Sequence, residues 1–161
     1  MTEDLDMSSM DRINRVRRKR KKNSSQEESI QVRVVRYLVE KYPSVLFRAD
    51  VAAGSRQSIG MAVKMKKLGG NTAGWPDLFV AQPASGCHGL FLELKREGVR
   101  IHKRDGSFAS DHLAEQAEVL QRLREAGYRA EFAIGFEAAV SLINEHLEGH
   151  NPATFLVDQV K

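Results

Sequence analysis

The chain contains one cysteine, Cys87, in 161 residues. A lone thiol cannot build an internal disulfide framework or a cysteine-based zinc cage. A reducing, intracellular compartment is the matching expectation: the cytoplasm of a bacterial or phage-infected cell. No apolar run approaches the roughly 18 residues that a membrane-spanning helix requires. The basic cluster near the N-terminus is followed by no apolar stretch, so it does not read as a secretory signal. The histidines His88, His102, His112, His146 and His150 lack metal-ligand spacing and read as surface or loop residues. Gly69-Gly70 is not a phosphate-binding loop. No internal repeat is present.

What remains is an ordinary globular composition, 42% apolar and 7% aromatic, long enough for one domain with a real core. The net charge is +4 and the isoelectric point about 9.3. That balance favours a polyanionic partner. The charge is also uneven. Arg12, Arg15, Arg17, Arg18, Lys19, Arg20, Lys21 and Lys22 follow one another with no acidic residue between them. Charges this dense repel, and residues 1–23 read as a disordered basic arm. Two readings stay open for it: neutralisation of phosphates, or a solvated tail or localisation signal.

The first ordered element is expected from Ser24 or Ser25, a fair N-cap. Ile30, Val34, Tyr37 and Leu38 recur at helical spacing until Pro43 stops the helix. Val45–Ala49 reads as a short strand, Gly54-Ser55 as a turn and Gln57–Leu68 as a second helix. Gly69, Gly70 and Gly74 mark a loop ending at Trp75-Pro76. Leu78–Ala81 and Leu90–Lys95 read as the strands of a hairpin. A basic loop from Arg96 to Ser110 precedes a helix over Asp111–Ala126, which Gly127 ends. Tyr128–Ile134 is a strand and Phe136–Leu147 a closing helix. This order predicts an α/β domain over residues 24–148, with a mixed central sheet, followed by a tail over 149–161.

The chemistry is expected on the hairpin. Along Leu90–Lys95 the side chains alternate, so Leu90, Leu92 and Leu94 face one way and Phe91, Glu93 and Lys95 the other. Charges on so apolar a strand need partners or a metal. Asp77 shares parity with Phe79, and hairpin pairing brings it towards Glu93. Two close carboxylates repel, and a divalent cation relieves the repulsion. Oxygen ligands of this kind select Mg²⁺ or Mn²⁺, and the site suits phosphodiester hydrolysis with Lys95 beside the reacting water or phosphate. The alternative is a structural Glu93–Lys95 ion pair with Asp77 as a loop-end cap. Trp75 could stack on a base or anchor the turn before Asp77.

Trp75-Pro76-Asp77 and Glu93-Leu94-Lys95 resemble the signature of the PD-(D/E)XK nuclease superfamily. More narrowly, the chain resembles the virus-type replication-repair nuclease (VRR-NUC) domain from about Glu28 to Leu147. The matching pieces are Glu28-Ser29-Ile30-Gln31, Gly74-Trp75-Pro76-Asp77-Leu78, Gly89 through Lys95, Gln116 on a helix, and Ala126-Gly127-Tyr128. Asp50 departs from the asparagine typical of the family before its glycine-containing turn. The resemblance implies a restriction-endonuclease-like core. It also implies Asp77, Glu93 and the Leu94 carbonyl as metal ligands, Lys95 as the catalytic lysine, Glu28 as a helical carboxylate completing the site, and Gln116 as a supporting amide. Sequence geometry agrees independently, and places Glu28 within reach of the sheet. Glu28, Gln31, Val35 and Leu38 share a face, and Gln116 interrupts the apolar stripe Leu113, Ala117, Leu120, where a lone amide would be costly. Glu27 competes with Glu28 for its role.

The function so implied is a metal-dependent DNA endonuclease in DNA repair. It is expected to be selective for branched DNA and to act as a homodimer resembling a Holliday-junction resolvase. A nicking, flap or restriction-type endonuclease is the alternative enzyme, and a non-catalytic DNA-binding module the alternative class. Arg17, Arg18, Lys19, Arg20, Lys64, Lys67, Arg100, Lys103 and Arg104 are the candidate DNA contacts. Met61, Val63 and Met65, with Phe155, Leu156 and Val157, are candidate dimer material; they could equally complete the monomer's own core.

Overall fold

The computed structural model describes residues 7–50 and 74–149; within the first stretch, side chains are described for residues 15, 16 and 26 onward. The predicted turn at Gly54-Ser55, the helix over Gln57–Leu68, Gly69-Gly70 and the tail residues from His150 to Lys161 lie outside these residues. So do Lys64, Lys67 and the proposed interface residues.

Helix α1 spans Met7–Lys41. It begins well before Ser24, and its helical backbone runs through the basic segment assigned from sequence to a disordered arm. The cause is local. No glycine or proline interrupts Met7–Lys41, and arginine, lysine, glutamine and methionine are good helix formers. Once the packed half exists, each added residue extends the helix at little cost. Repulsion between like charges opposes this by only a few tenths of a kcal/mol per pair. Ile30, Val34 and Leu38, at i, i+4 and i+8, are buried among the described side chains of α1. A turn after Tyr42 then leads past Pro43, with Val45 N–H donating to the Tyr42 carbonyl at 3.0 Å.

Four strands follow among the described residues: β1 (Phe47–Ala49), β2 (Leu78–Val80), β3 (Leu90–Lys95) and β4 (Arg129–Ile134). They lie in that order in one sheet. The β1–β2 and β2–β3 pairs are antiparallel and β3–β4 is parallel. This is the mixed sheet expected, and β2–β3 is the expected hairpin. The parallel return from β3 to β4 needs a crossover, supplied by α2 (Asp111–Glu125). Ser110 caps its start by accepting from Leu113 N–H at 3.3 Å. At its end Gly127, with φ +88°, closes a Schellman turn: Tyr128 N–H donates to Leu123 O and Gly127 N–H to Arg124 O. Helix α3 (Gly135–Glu148) completes the chain described.

The sheet separates two cores. On one face Ile30, Val34 and Leu38 of α1 and Ala139, Ile143 and Leu147 of α3 pack on Leu78, Val80, Leu90, Leu92 and Leu94. On the other, Leu120 and Leu123 of α2 pack on Phe91 and Ala130. Every residue of β3 is buried as a result. His146, read from sequence as a surface residue, is fully buried on α3, and its Nε2 donates to the Gln82 carbonyl at 2.7 Å. It stands three residues after Ile143, on the inward stripe of the helix, so its spacing placed it in the core. The described residues contain no helix long and apolar enough to cross a membrane.

Candidate active site

Parity on β3 sends Leu90, Leu92 and Leu94 into the core of α1 and α3, which leaves Phe91, Glu93 and Lys95 on the side of α2. The hairpin register pairs Leu78 with Leu92 and Phe79 with Phe91. One step further, Asp77 lies across from Glu93. The stacked rings of Phe79 and Phe91, 4.3 Å between centroids, floor the same face. Asp77, Glu93 and Lys95 therefore converge at one end of the sheet.

Several contacts fix these groups. Asp77 accepts from the Leu94 N–H at 2.8 Å through Oδ2. In a strand, the N–H and C=O of a residue point to the same neighbour, so the Leu94 carbonyl also faces the Asp77 side. Lys95 Nζ donates to Glu93 Oε1 at 2.6 Å, with Glu93 2% and Lys95 7% exposed. Gln116 Nε2, from the buried stripe of α2, donates to the same oxygen. Glu93 Oε2 is buried and has no hydrogen-bond partner among the described residues. A lone buried carboxylate oxygen is costly, and a cation is one remedy.

The loop before Asp77 is held from two sides. Gly74 has φ +76°, and a Cβ there would sit 3.0 Å from the Glu115 carbonyl oxygen and 3.2 Å from Gln116 Cα. A side chain here would crowd the α2 backbone and strain a positive φ, so glycine suits the close approach of this loop to α2 beside Gln116. Trp75 meets Phe91 edge-on at 5.6 Å and so anchors the turn, although it remains 46% exposed. From α1, Gln31 Nε2 donates to the backbone carbonyls of Asp50, at 2.6 Å, and Asp77, at 3.2 Å. The Asp50 N–H also reaches the Asp77 carbonyl, at 2.9 Å. Gln31 thus joins helix, β1 end and β2 start; sequence reading placed it in the helical motif without a role.

The electrostatics oppose full ionisation. Burial, then the charge of Asp77, pushes Glu93 up to about 8, against the pull of Lys95. Burial also raises Asp77, while the Leu94 N–H and Lys95 hold it down. Glu27 raises both groups, and Asp50 raises Asp77. One lysine faces an excess of carboxylates.

Glu27, and not Glu28, supplies the helical carboxylate whose charge bears on the pair. Glu28 is exposed, and Glu27 half-buried. Glu27 lies on the stripe Glu27, Gln31, Val34, Leu38, whereas Glu28 is turned off it by about 100°. Arg100, Lys103 and Arg104 are exposed in the loop between β3 and α2. There Lys103 N–H donates to Ser107 O at 2.7 Å. Arg17, Arg18, Lys19 and Arg20 stand on the N-terminal half of α1.

No group of three or more His, Cys, Asp or Glu side chains among the described residues is arranged to hold a metal. The donors that fit one are Asp77, Glu93 and the Leu94 carbonyl. That set is short of protein ligands, but Mg²⁺ is commonly held by one or two carboxylates, with water and substrate phosphate filling the other positions. The unpartnered Glu93 oxygen and the excess negative charge suit a hard divalent cation.

No protein-family description matches the chain, and no curated protein matches it. A solved structure described as a VRR_NUC domain protein does match. It has 23% sequence identity and a TM-score of 0.56, over 78% of this chain and 91% of that one. The chain has the fold of that VRR_NUC domain protein, an α/β core built on a mixed four-stranded sheet.

Proposed function

We propose that the protein is a divalent-metal-dependent nuclease hydrolysing phosphodiester bonds in DNA. The observation that supports this most is the buried Glu93 carboxylate: one oxygen is shared by Lys95 and Gln116, the other is unpartnered, and Asp77 lies across the hairpin. A Glu93–Lys95 ion pair accounts for the first oxygen and gives no role to the second or to the nearby Asp77. The fold of a VRR_NUC domain protein agrees with the reading.

Asp77, Glu93 and the Leu94 carbonyl would hold the cation, Mg²⁺ or Mn²⁺. When bound, it supplies Lewis-acid polarisation of a phosphoryl oxygen and a water of lowered pKa. The chain's own groups do the rest. Lys95, fixed by Glu93, orients the attacking water or meets the extra negative charge of the transition state. Gln116 holds the Glu93 carboxylate in place, and Leu94 N–H does the same for Asp77. Gln31 fixes the backbone from which Asp77 projects.

A cleavage assay on four-way junction, flap, duplex and single-stranded DNA tests the proposal. Cutting is expected with Mg²⁺ or Mn²⁺ and not with a chelator, while Ca²⁺ supports binding and little cutting. Binding without cutting under every condition would reduce the protein to a DNA-binding module. The finer reading is a homodimer that prefers branched DNA, since paired cuts across a junction need two sites in fixed relation. Light scattering with and without junction DNA checks it. A monomer that cuts linear duplex as readily as a junction would leave a general endonuclease.

The basic segment adds a second expectation. Deleting residues 1–22 removes eight cations between Arg12 and Lys22. Each lost phosphate contact should flatten the log–log salt dependence of affinity by about 0.9. Cutting of saturating substrate should persist, because no proposed catalytic residue lies in that segment. An unchanged affinity and salt slope would remove the segment from the DNA interface.

A further inference from the structure

We propose that the basic half of α1 lies in the major groove of a B-form DNA duplex, as a rigid helix continuous with the helix that carries Glu27. The inference rests on DNA as the partner of the site, and not on cleavage. It starts from the helical backbone of Met7–Lys41, which carries the basic run and Glu27 on one helix.

The distribution of charge around that helix selects the kind of contact. At about 100° per residue, the cations from Arg12 to Lys22 leave no arc wider than about 80° without one. A helix resting on a single row of phosphates needs cations on one face only. A helix between two phosphate walls needs them on opposite faces. The apolar positions Ile13 and Val16 fall among Arg12 and Arg20 and form no separate face, unlike a helix made to lie on a membrane. Val16, an apolar side chain described in this part of the helix, is 51% exposed.

Dimensions agree. The major groove of B-form DNA is about 12 Å wide and admits an α-helix. The run from Arg12 to Lys22 is roughly 15 Å long. Lys22 precedes Glu27 by roughly 7.5 Å of helix axis, and the charge of Glu27 acts on Asp77 and Glu93. With no glycine or proline between them, the occupied groove lies within about one duplex turn of the site. Duplex RNA offers a deep, narrow major groove that a helix cannot enter. The segment therefore favours duplex DNA over duplex RNA.

The test measures binding of the full chain with a chelator present, so its outcome does not depend on catalysis. The probes are plain duplex DNA, the same duplex with glucosylated 5-hydroxymethylcytosine filling the major groove, and plain duplex carrying distamycin in the minor groove. Filling the major groove should weaken binding by about tenfold or more, through lost phosphate contacts, while distamycin should change it little. Arg17→Pro and Arg17→Gln then remove the same charge, and only the first breaks the helix. Arg17→Gln should keep the discrimination against the filled groove and Arg17→Pro should lose it. Equal affinity for plain and glucosylated DNA, or displacement by distamycin, would overturn the proposal. So would identical behaviour of the two Arg17 variants, which is what a flexible polycation would give. Cleavage in Mg²⁺, measured separately, reports on the nuclease reading alone.

Discussion

Asp77→Ala and Glu93→Ala should each lower the rate of DNA cleavage by more than about 10²–10³-fold, the range seen when one preorganised electrostatic group is removed from a reacting centre. Duplex affinity should hold or rise slightly, because each substitution removes a negative charge near the phosphates. The two losses should not multiply in the double variant, since both residues serve one site. Lys95→Ala should fall in the same range. Lys95→Arg should not restore activity: the planar guanidinium cannot replace a compact ammonium that donates to Glu93 at 2.6 Å in a nearly closed space. Gln116→Ala should cost less, about 10–100-fold, because the amide touches Glu93 and acts through it. Single-turnover cleavage with binding measured in parallel gives all six values. Full activity of either carboxylate variant would remove Asp77 and Glu93 from the reaction.

The half of this site that lies on the sheet was legible in the sequence because strand parity is a two-state choice. Once Leu90, Leu92 and Leu94 are assigned to the core, Glu93 and Lys95 can only face the other way. The hairpin then places Asp77 opposite Glu93, since Phe79 and Phe91 share its parity. Gln116 was legible for a related reason, as a polar residue within a buried helical stripe. The α1 side was harder. A helix has no two-way choice, and a rotation of about 100° separates Glu27 from Glu28. Only the packing of Ile30, Val34 and Leu38 fixes that rotation. Gln31 was out of reach for another reason. Its partners are the backbone carbonyls of Asp50 and Asp77, which come together through the β1–β2 pairing and leave no mark on side-chain pattern. The extent of α1 turned on two local effects of opposite sign, charge repulsion and helix propensity.

Metal-free protein should lose stability as pH rises from about 4.5 to about 8, and Glu93→Gln should abolish most of that loss. Glu93 sits at about 8 in the folded chain against an ordinary value of 4.5. Between those values the folded chain keeps a proton that the unfolded chain has released, so stability falls as pH rises. The contribution is fully present below about 4.5 and gone above about 8. At about 1.4 kcal/mol for each unit of difference, it is on the order of a few kcal/mol. Glutamine resembles the protonated acid in shape and charge, and its carbonyl still accepts from Lys95. Metal-free Glu93→Gln should therefore melt above the unsubstituted protein at pH 8.5, by roughly 5–10 °C. Mg²⁺ should narrow that difference. At about 100 times its dissociation constant a ligand stabilises the folded state by about 2.7 kcal/mol, and Glu93→Gln loses the carboxylate that binds it. Thermal melts at pH 5 and 8.5, with Mg²⁺ and with a chelator, give the four comparisons. A Glu93→Gln protein that melts lower than the unsubstituted chain at both pH values, or that gains as much from Mg²⁺, would mean that Glu93 is ionised as a structural partner of Lys95 and holds no cation.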